Sequence, residues 1–447
     1  MSSDLLNIGA SGLRAFRASL AVTGDNIANA QTAGYARRSL RLSEVSITGT
    51  SDFRYRNRTR FDGVDISATL RASDTWRTSD SRLAASAHGK SETVATWMTA
   101  TETGLSDSET GTGASLAKMF ASASALAADP LSRAPRSAFL ASIDDAASSI
   151  RSNATELSRV ASGIADGAQA SVDGLNANLK ALADVNLAIR RTPVGSTANA
   201  ELADQRDQLI DSIAAQTDVT VAIAADGSAT LTRTGTTLVS DGKATTLALI
   251  VAPDGRLSFT QSFSAATTPF TASGGRLGGL NTSANAVADR RAALDTLATN
   301  LAAALNNWHS GGRTPTNASG AALLDASGGA IALAALVTDP AQVATADTGG
   351  ATNGNMLALS GVRTASGVEN QWAALVANQA QTTASARADE ARTSARKDTA
   401  DAARDAVEGV DLDREAADLI RFQQAYEASA RVIQIAKETI DTILRLF

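Results

Sequence analysis

The beginning of the chain carries an apolar residue at every seventh position. Four residues hold that position: Leu6, Leu13, Leu20 and Ile27. Phe16 occupies the second apolar position of the heptad, and the pattern predicts an amphipathic helix from about Asp4 to Asn29. The segment 31–35 should end this helix, because Gly34 can adopt a positive φ. The helix is short and rich in small residues, so we do not expect it to be stable alone.

The end of the chain carries a second heptad pattern. One of its positions is occupied by Leu412, Leu419, Tyr426, Ile433, Ile440 and Phe447. The other is held mostly by Phe422, Ala436 and Ile443, and its polar gaps are Glu415 and Ser429. The pattern predicts a helix from about Asp413 to Phe447. Two arrangements remain open: each terminal helix packs on its own domain, or the two pair and leave the middle of the chain as an insertion.

Between the two ends the pattern changes from helix to strand and back. Helical periodicity runs from about 75 to 213, and four β-rich runs follow between about 218 and 261. Asp-Gly pairs separate these runs and predict hairpin turns: Asp226-Gly227, Asp241-Gly242 and Asp254-Gly255. Helix returns at about 282–308. A Gly, Ser, Ala and Thr-rich stretch, about 310–355, predicts loops with short elements, and a charged helix follows at about 368–407.

These elements predict a mainly α protein with a small inserted β domain. We expect residues 1–35 and 409–447 to pair as a coiled-coil stem. Residues 36–217 and 276–408 should form a mostly helical shaft domain, and residues 218–275 the inserted β domain.

Composition limits the chemistry that this chain can perform. It has no cysteine and two histidines, so disulfides, thiolate metal sites and a histidine cluster are excluded. Its 40 basic and 46 acidic residues give a net charge of −6, which argues against general nucleic-acid binding. No apolar run is long enough to span a membrane. The first residues lack the pattern of a cleaved signal peptide, so we expect any export to proceed without one.

Two charged clusters are the remaining candidates for chemistry. Asp207 and Asp211 share one helix face near Asp204 and Arg206, and paired carboxylates can perform acid–base catalysis. A solvated or subunit-facing charged stripe, with Arg206 paired locally, is the favoured interpretation. His88 is expected at the surface and His309 at a helix end.

The second cluster is an alternation of arginine along one strand: Arg54, Arg56, Arg58 and Arg60. Its four members would share one strand face. That face either meets acidic neighbours in an assembly or is solvated, and binding of nucleic acid is the least favoured interpretation.

The terminal sequences carry a recognisable signature. It begins with Ser11-Gly-Leu, continues through Asp25-Asn-Ile-Ala-Asn29 and Thr32-Ala-Gly-Tyr35, and ends with Phe422-Gln-Gln-Ala-Tyr426. This signature resembles that of the bacterial flagellar axial proteins, the family of rod, hook and hook-associated proteins. Asp25 departs from it, since Asn is usual there. Arg37, two residues after Tyr35, and the run Asp204–Leu209 are more similar to the hook-associated members than to rod or hook subunits.

The resemblance implies a structural subunit, not an enzyme, that forms the hook–filament junction by helical polymerisation. It implies no cofactor or metal and an extracellular location on the flagellum. The implied partners are copies of itself, the hook protein, a second junction protein next to the filament, and a cytoplasmic export chaperone on the C-terminal helix. Nucleic acid and membrane are not expected partners. Another axial subunit, or a coiled-coil surface adhesin, remains the alternative.

The predicted assembly interface combines the two heptad patterns with the signature residues. Its N-terminal members are Leu6, Leu13, Phe16, Leu20, Asn26, Ile27, Asn29, Thr32, Gly34, Tyr35 and Arg37. Its C-terminal members are Leu412, Leu419, Phe422, Gln423, Tyr426, Ile433, Ile440, Ile443 and Phe447.

Overall fold

The structure is a computed structural model that describes residues 2–48, 59–264 and 266–445. Its helices are α1 (Ser2–Ala28), α2 (Thr75–Gly104), α3 (Thr112–Ala128), α4 (Arg133–Arg191), α5 (Thr197–Gln216), α6 (Gly275–Gly311), α7 (Gly354–Ser366), α8 (Val368–Glu408) and α9 (Leu412–Leu444). Short 3₁₀ helices lie at Ala330–Ala332 and Pro340–Gln342. The mainly α class with an inserted β region is confirmed.

The strands belong to four antiparallel sheets. They are β1 (Arg38–Thr48), β2 (Thr59–Arg71), β3 (Thr220–Ile223), β4 (Ala229–Arg233), β5 (Thr236–Ser240), β6 (Lys243–Ala244), β7 (Thr246–Val251), β8 (Leu257–Phe263), β9 (Ala266–Phe270), β10 (Leu324–Asp325) and β11 (Ala334–Ala335). The sheet orders are β1-β2, β3-β4-β5-β6, β7-β8-β9 and β10-β11.

Helices α1 and α9 form an antiparallel pair, which we call the stem. Near one end, a Cβ on Gly9 would lie only 2.6 Å from Cγ1 of Ile433, so the two backbones approach closely there. At the other end, Asn26 donates a hydrogen bond to Glu415 at 3.0 Å. The first and last parts of the sequence therefore lie side by side, and the alternative of two separately packed helices is wrong.

The stem buries small and polar residues rather than its leucines. The buried members of α1 are Gly9, Ser11, Gly12, Ala15, Ser19, Thr23 and Asn26. Leu6, Leu13 and Leu20 are only half-buried, and Ile27 is 38% exposed. Among the described side chains of α9, only Glu415 and Ala436 are buried. Within one chain the heptad leucines therefore do not carry the burial, because small residues let the backbones approach until the leucines lie at the edge of the contact.

The hairpin β1–β2 packs against α1. The Val64 amide donates to Ser11 Oγ at 3.1 Å, and Ser11 Oγ donates to the Ile8 carbonyl at 2.8 Å. Gly63 has a φ of +97°, and a Cβ there would collide with Ser11 Oγ. Of the predicted arginine alternation, three members lie outside the described residues and Arg60 is described only as part of the β2 backbone.

The body, which we define as α2–α8 with β3–β11, is organised along α4. This helix has 59 residues and is about 90 Å long. The first half of α4 packs with α3, the second half of α6, α7 and the start of α8 around one core that contains Phe139, Trp308 and Trp372. The second half of α4 packs with α2, α5, the first half of α6 and the sheets of β3–β9 around another. No helix in the described ranges has the length and apolar character needed to cross a membrane.

The three predicted Asp-Gly turns join β3 to β4, β5 to β6 and β7 to β8. Asp241 and Gly242 both have positive φ, as a tight hairpin of primed type requires. Strand β9 lies beyond the predicted strand region, which ends at about 261, and α6 begins at Gly275 rather than near 282. The β region starts and ends at one place, because Asp218 accepts hydrogen bonds from the Gly274 amide at 3.1 Å and from Arg233 Nε at 2.9 Å.

Candidate functional site

The two helices of the stem meet the first strand at Asn26, which is 1% exposed. Its Nδ2 donates to the Arg38 carbonyl at 2.9 Å and to Glu415 Oε2 at 3.0 Å. Its Oδ1 accepts from the Arg38 amide at 3.0 Å and from the Tyr35 hydroxyl at 2.8 Å. The four bonds use the full capacity of the amide group. Burial raises the pKa of the Tyr35 hydroxyl, with Arg38 opposing, so Tyr35 remains protonated and donates.

The turn after α1 directs the chain back to this point. Gly34 adopts the positive φ expected of it, +76°. Gln208 on α5 donates to the Ala33 carbonyl at 2.8 Å, and the Arg37 amide donates to the Glu408 carbonyl at the end of α8 at 2.8 Å. The turn is therefore attached to two body helices before β1 begins.

Glu415 connects α9 to the same point. It is 1% exposed, and it accepts from Arg37 Nε at 2.5 Å as well as from Asn26. Arg37 also reaches Asp418, one turn further along α9, at 3.2 Å. In the sequence pattern, Glu415 is a polar residue at an otherwise apolar heptad position. In the structure, its carboxylate holds α9 to α1 and to the turn that follows α1.

The acidic helix α5 supplies three carboxylates to basic residues from other elements. Asp204 binds Arg38 at 2.6 Å and Arg71 at 2.5 Å. Asp207 binds Arg71 at 2.6 Å and Arg82 at 3.2 Å. These carboxylates are therefore neither solvated nor free to face another subunit, and the predicted charged stripe is wrong in that respect. Local pairing of Arg206 is confirmed, since it contacts Asp207 at 3.0 Å.

The ion pairs continue to the end of α8. Asp211 binds Arg82 at 2.6 Å and Arg404 at 2.7 Å. Arg404 also binds Glu408 at 2.8 Å, and Glu408 accepts from the Thr78 hydroxyl at 2.7 Å. Burial disfavours the charge on Arg404, but Asp211 and Glu408 outweigh it and raise its pKa. The network thus joins both terminal helices to α2, α5 and α8.

We call this network the hub. It consists of Asn26, Tyr35, Arg37, Arg38, Arg71, Arg82, Asp204, Asp207, Asp211, Arg404, Glu408, Glu415 and Asp418.

The hub attaches the terminal helices to the body, and its carboxylates do not suit catalysis. Burial opposes ionisation of Asp207, but Arg206, Arg71 and Arg82 outweigh it and hold the pKa of that carboxyl below its usual value. A carboxylate held in this way is a poor general acid or base at neutral pH. Within the described ranges, no group of three or more histidine or acidic side chains is placed to hold a metal ion.

The structure distributes the predicted interface residues over three places. Asn26, Tyr35 and Arg37 belong to the hub. Asn29, Thr32 and Gly34 form the turn beside it, where Thr32 Oγ1 donates to Asn29 Oδ1 at 3.2 Å. The remaining described members lie along the stem at half-buried or exposed positions: Leu6, Leu13, Phe16, Leu20, Ile27, Leu412, Leu419, Phe422, Gln423, Tyr426, Ile433 and Ile440. The side chain of Ile443 and the whole of Phe447 lie outside the described residues.

The sequence pattern did not indicate most of the basic residues of the hub. Arg38, Arg71, Arg82 and Arg404 come from four elements, and no spacing rule relates them to the acids of α5. The only local signal was the cluster of acids itself.

The two histidines have structural surroundings. His309 lies in the last turn of α6, as expected, and is fully buried. Its Nε2 accepts from the Ala344 amide at 2.8 Å, so its proton is on Nδ1, which donates to the Ala321 carbonyl at 2.5 Å. Burial lowers the pKa of the imidazole, with the bond to Ala321 opposing. His88 is half-buried rather than at the surface.

Three family models match the chain, in the order expected of a stem with an insertion. The flagella basal body rod protein model matches residues 6–35, and the C-terminal model of the flagellar basal body rod FlgEFG proteins matches residues 406–446. The model for the helical domain of flagellar hook-associated protein FlgK matches residues 98–324, half of the chain. The chain belongs to the FlgK family. It is thus an axial structural subunit of the flagellum at the hook–filament junction, and the prediction that it is not an enzyme is confirmed.

Individual FlgK proteins support this membership. Flagellar hook-associated protein 1 of Bacillus subtilis is 26% identical over 491 positions, which cover 97% of this chain and 96% of the relative. The Salmonella typhimurium protein of the same name is 28% identical over 251 positions, which cover 56% of this chain and 44% of that protein. The structure of the hook junction protein FlgK from Burkholderia pseudomallei has a TM-score of 0.51 and 18% identity, and it covers 55% of this chain and 46% of that one. At this identity the structural likeness concerns the fold alone.

Proposed function

We propose that this FlgK-family chain assembles by bundling its α1–α9 stem with the stems of neighbouring copies, and that the hub fixes the angle between stem and body. The observation that carries this proposal is the distribution of burial in the stem. The two helices contact each other mainly through small residues, with Ile433 against Gly9, and most of their other large apolar residues are half-buried or exposed.

Helix α9 presents apolar residues on the side turned away from α1. Ile420 and Ile435 are 55% and 59% exposed. They are separated by 15 residues, which places them within about 60° of each other around the helix. By the same geometry, Glu415 and Ala436, the two buried residues of α9, lie on the opposite side. A surface of this kind favours a further helix, since exposed apolar side chains at helical spacing mark a contact site.

The free energy that burial of these exposed apolar side chains can supply suits a polymer rather than a stable free dimer. Full burial of an isoleucine or leucine side chain contributes about 1.5–3 kcal/mol, so half-exposed side chains contribute about 1 kcal/mol each. A few such residues cannot hold two copies together at low concentration. Repeated over several neighbours of each copy, they stabilise a bundle. The predicted interface residues along the stem are those we place in this contact.

The hub gives the bundle a defined direction. Asn26, Arg37 and Glu415 connect α1, α9 and the first strand, and Arg38 connects that strand to Asp204 of α5. The stem therefore cannot rotate relative to the body without breaking buried hydrogen bonds. An unpaired buried charge costs several kcal/mol, so the angle between stem and body is fixed strongly. We propose that this rigidity transmits force between hook and filament.

The proposed partners follow from the family and from the exposed face of α9. We infer that the hook protein binds on one side of the assembled chain and a second junction protein on the filament side. We also infer that a cytoplasmic chaperone covers α9 before export, since an exposed apolar helix favours aggregation. Export is expected to proceed without a cleaved signal peptide, to the outside of the cell.

The test is a double substitution on the outer side of α9, Ile420→Asp with Ile435→Asp. Both residues are exposed in the single chain, so the purified variant should retain its helical content. The matched control is Ile250→Asp, since Ile250 on β7 is 53% exposed and lies outside the stem. In cells that lack the native chain, the double variant should be secreted but leave hooks without filaments, whereas the control should restore them.

The predicted interface residues give a second pair of variants, Leu419→Asp and Ile433→Asp, which should also permit secretion but leave hooks without filaments. Filaments of normal number and length with the outer-face double variant would contradict assembly through α9. Immunogold labelling of isolated hook–basal bodies with antibody to this chain distinguishes the junction from the alternative of another axial position. A label along the rod, or along the whole hook, would favour that alternative.

A further inference from the structure

The body carries an exposed apolar face close to the hub. Trp76 is 71% exposed and Leu83, two turns later on α2, is 65% exposed. Ser79 and Ala87 lie on the same side of the helix and are also exposed. The other tryptophans differ, since Trp308 and Trp372 are buried and Trp97 is half-buried. We call the side of α2 with Trp76, Ser79, Leu83 and Ala87 the α2 face.

The charges beside the α2 face are already paired within the chain. On one flank Asp80 binds Arg396 of α8 at 2.5 Å. On the other flank Arg82 binds Asp207 and Asp211 of α5 at 3.2 and 2.6 Å. These pairs hold α2 between its neighbours and leave the face itself apolar. A partner of the α2 face should therefore present an apolar surface rather than a charged one.

We propose that the α2 face is a second contact between copies of this chain, distinct from the stem. This inference rests on the proposed assembly through α1 and α9. Its position supports it, because α2 begins at the hub: the Asp74 amide donates to Glu408 at 3.4 Å, and Thr78 donates to the same carboxylate. When stems bundle, the ends of the bodies nearest the hub are the parts that approach each other first.

The area of the α2 face indicates the kind of contact. Trp76 and Leu83 together expose on the order of 300 Å². A stable pair of proteins buries about 800 Å² on each partner, so this face cannot hold two free copies together. A face of this size suits a contact that forms only after another interface has brought the two partners close. Copies joined through their stems meet this condition, so we assign the α2 face to a neighbouring copy in the polymer rather than to an independent partner. Tryptophan is also enriched at the centres of protein contacts.

The experiment places a photo-cross-linking amino acid, p-benzoylphenylalanine, at position 76 of the full chain in flagellated cells. The matched control carries it at position 131, because Leu131 is 74% exposed but precedes α4, at the end of the body away from the hub. Isolated hook–filament particles should give a product of two linked copies from position 76 and much less from position 131. A variant with Trp76→Lys and Leu83→Lys should be incorporated but dissociate from the particles earlier on heating than Leu131→Lys.

Three results would overturn the inference. One is normal incorporation without a copy-to-copy product from position 76. Another is a product that joins the chain only to a different protein. The third is heat resistance of the double lysine variant equal to that of its control. If the chain is absent from the particles altogether, the assembly proposal itself fails, and this inference fails with it.

Discussion

Glu415 is the single side chain on which the attachment of α9 depends most. It is buried, and it accepts hydrogen bonds from Arg37 at 2.5 Å and from Asn26 at 3.0 Å. The substitution Glu415→Ala removes both acceptors. Asn26 then keeps three of its four hydrogen bonds, and among the described residues the Arg37 guanidinium keeps its contact with Asp418, at 3.2 Å.

The expected cost follows from the environment of Arg37. Breaking a fully buried ion pair by removing one partner costs about 3–5 kcal/mol. The side chain of Arg37 is 23% exposed, so water can replace part of the lost interaction, and the lower end of this range applies. A loss of about 3 kcal/mol corresponds to an increase of roughly a hundredfold in the equilibrium constant for detaching α9 from the hub.

Hydrogen–deuterium exchange of the purified chain measures this opening directly. Amides of α9 around residue 415, and those of α1 around Asn26, should exchange about a hundredfold faster in the variant. The matched control is Glu427→Ala, which removes the same charge from an exposed position of the same helix. Core amides of α4 should not change in either variant.

Equal exchange in Glu415→Ala and Glu427→Ala would refute the reasoning, because it would mean that the stem is held by something other than the hub. The same experiment tests a gradient within the stem. The part of α1 and α9 beside the hub should be protected in the dilute chain, and the far part, where few side chains are buried, should exchange fast.

Three further predictions concern pH, close packing and the β region. Because the folded-state pKa of Asp207 lies below its ordinary value of 3.8, its contribution to stability is complete above that pH and is lost as the pH falls through the lower value. Thermal unfolding between pH 5 and pH 2 should therefore depend less steeply on pH in Asp207→Asn. Gly9→Val should separate α1 from α9, since a Cβ there lies 2.6 Å from Ile433. Faster amide exchange along the stem measures this separation. Gly24→Val is the control, since a Cβ there has no neighbouring atom within 4 Å. Deletion of 219–273, joining Asp218 to Gly274, should leave stem exchange unchanged but lower the melting temperature, because it uncovers the apolar side of α4; an unchanged melting temperature would contradict that packing.

Much of the secondary structure was predictable because it depends on local rules. Heptad spacing located α1 and α9, since a helix repeats its faces every 3.6 residues regardless of what it contacts. The Asp-Gly turns located the first hairpins, because positive φ favours glycine and aspartate. Strand β9, which lies beyond the predicted limit of about 261, was missed, since its threonines and its proline dilute the apolar alternation.

The hub could not be predicted, although each of its residues was visible. Signature residues such as Asn26, Tyr35 and Arg37 were selected by resemblance, without the reason for their presence. The partner of Arg37, Glu415, lies 378 positions away, and its burial depends on where α9 ends up relative to α1. No pattern along the chain distinguishes a polar gap in an apolar stripe from an anchor.

The sequence by itself determined which segments are helical, where the β region is inserted, and that both ends carry apolar stripes. These properties follow from propensity and periodicity, which act between near neighbours in the chain. Only the tertiary structure decided which side of each stripe is buried. The small residues of α1 allow the backbones to approach so closely that Gly9 and Gly12 lie against Ile433 and Ser429, and the leucines are left at the edge of the contact. Close packing and the pairing of distant charges depend on the arrangement of the whole chain in space, and no single segment of the sequence determines that arrangement.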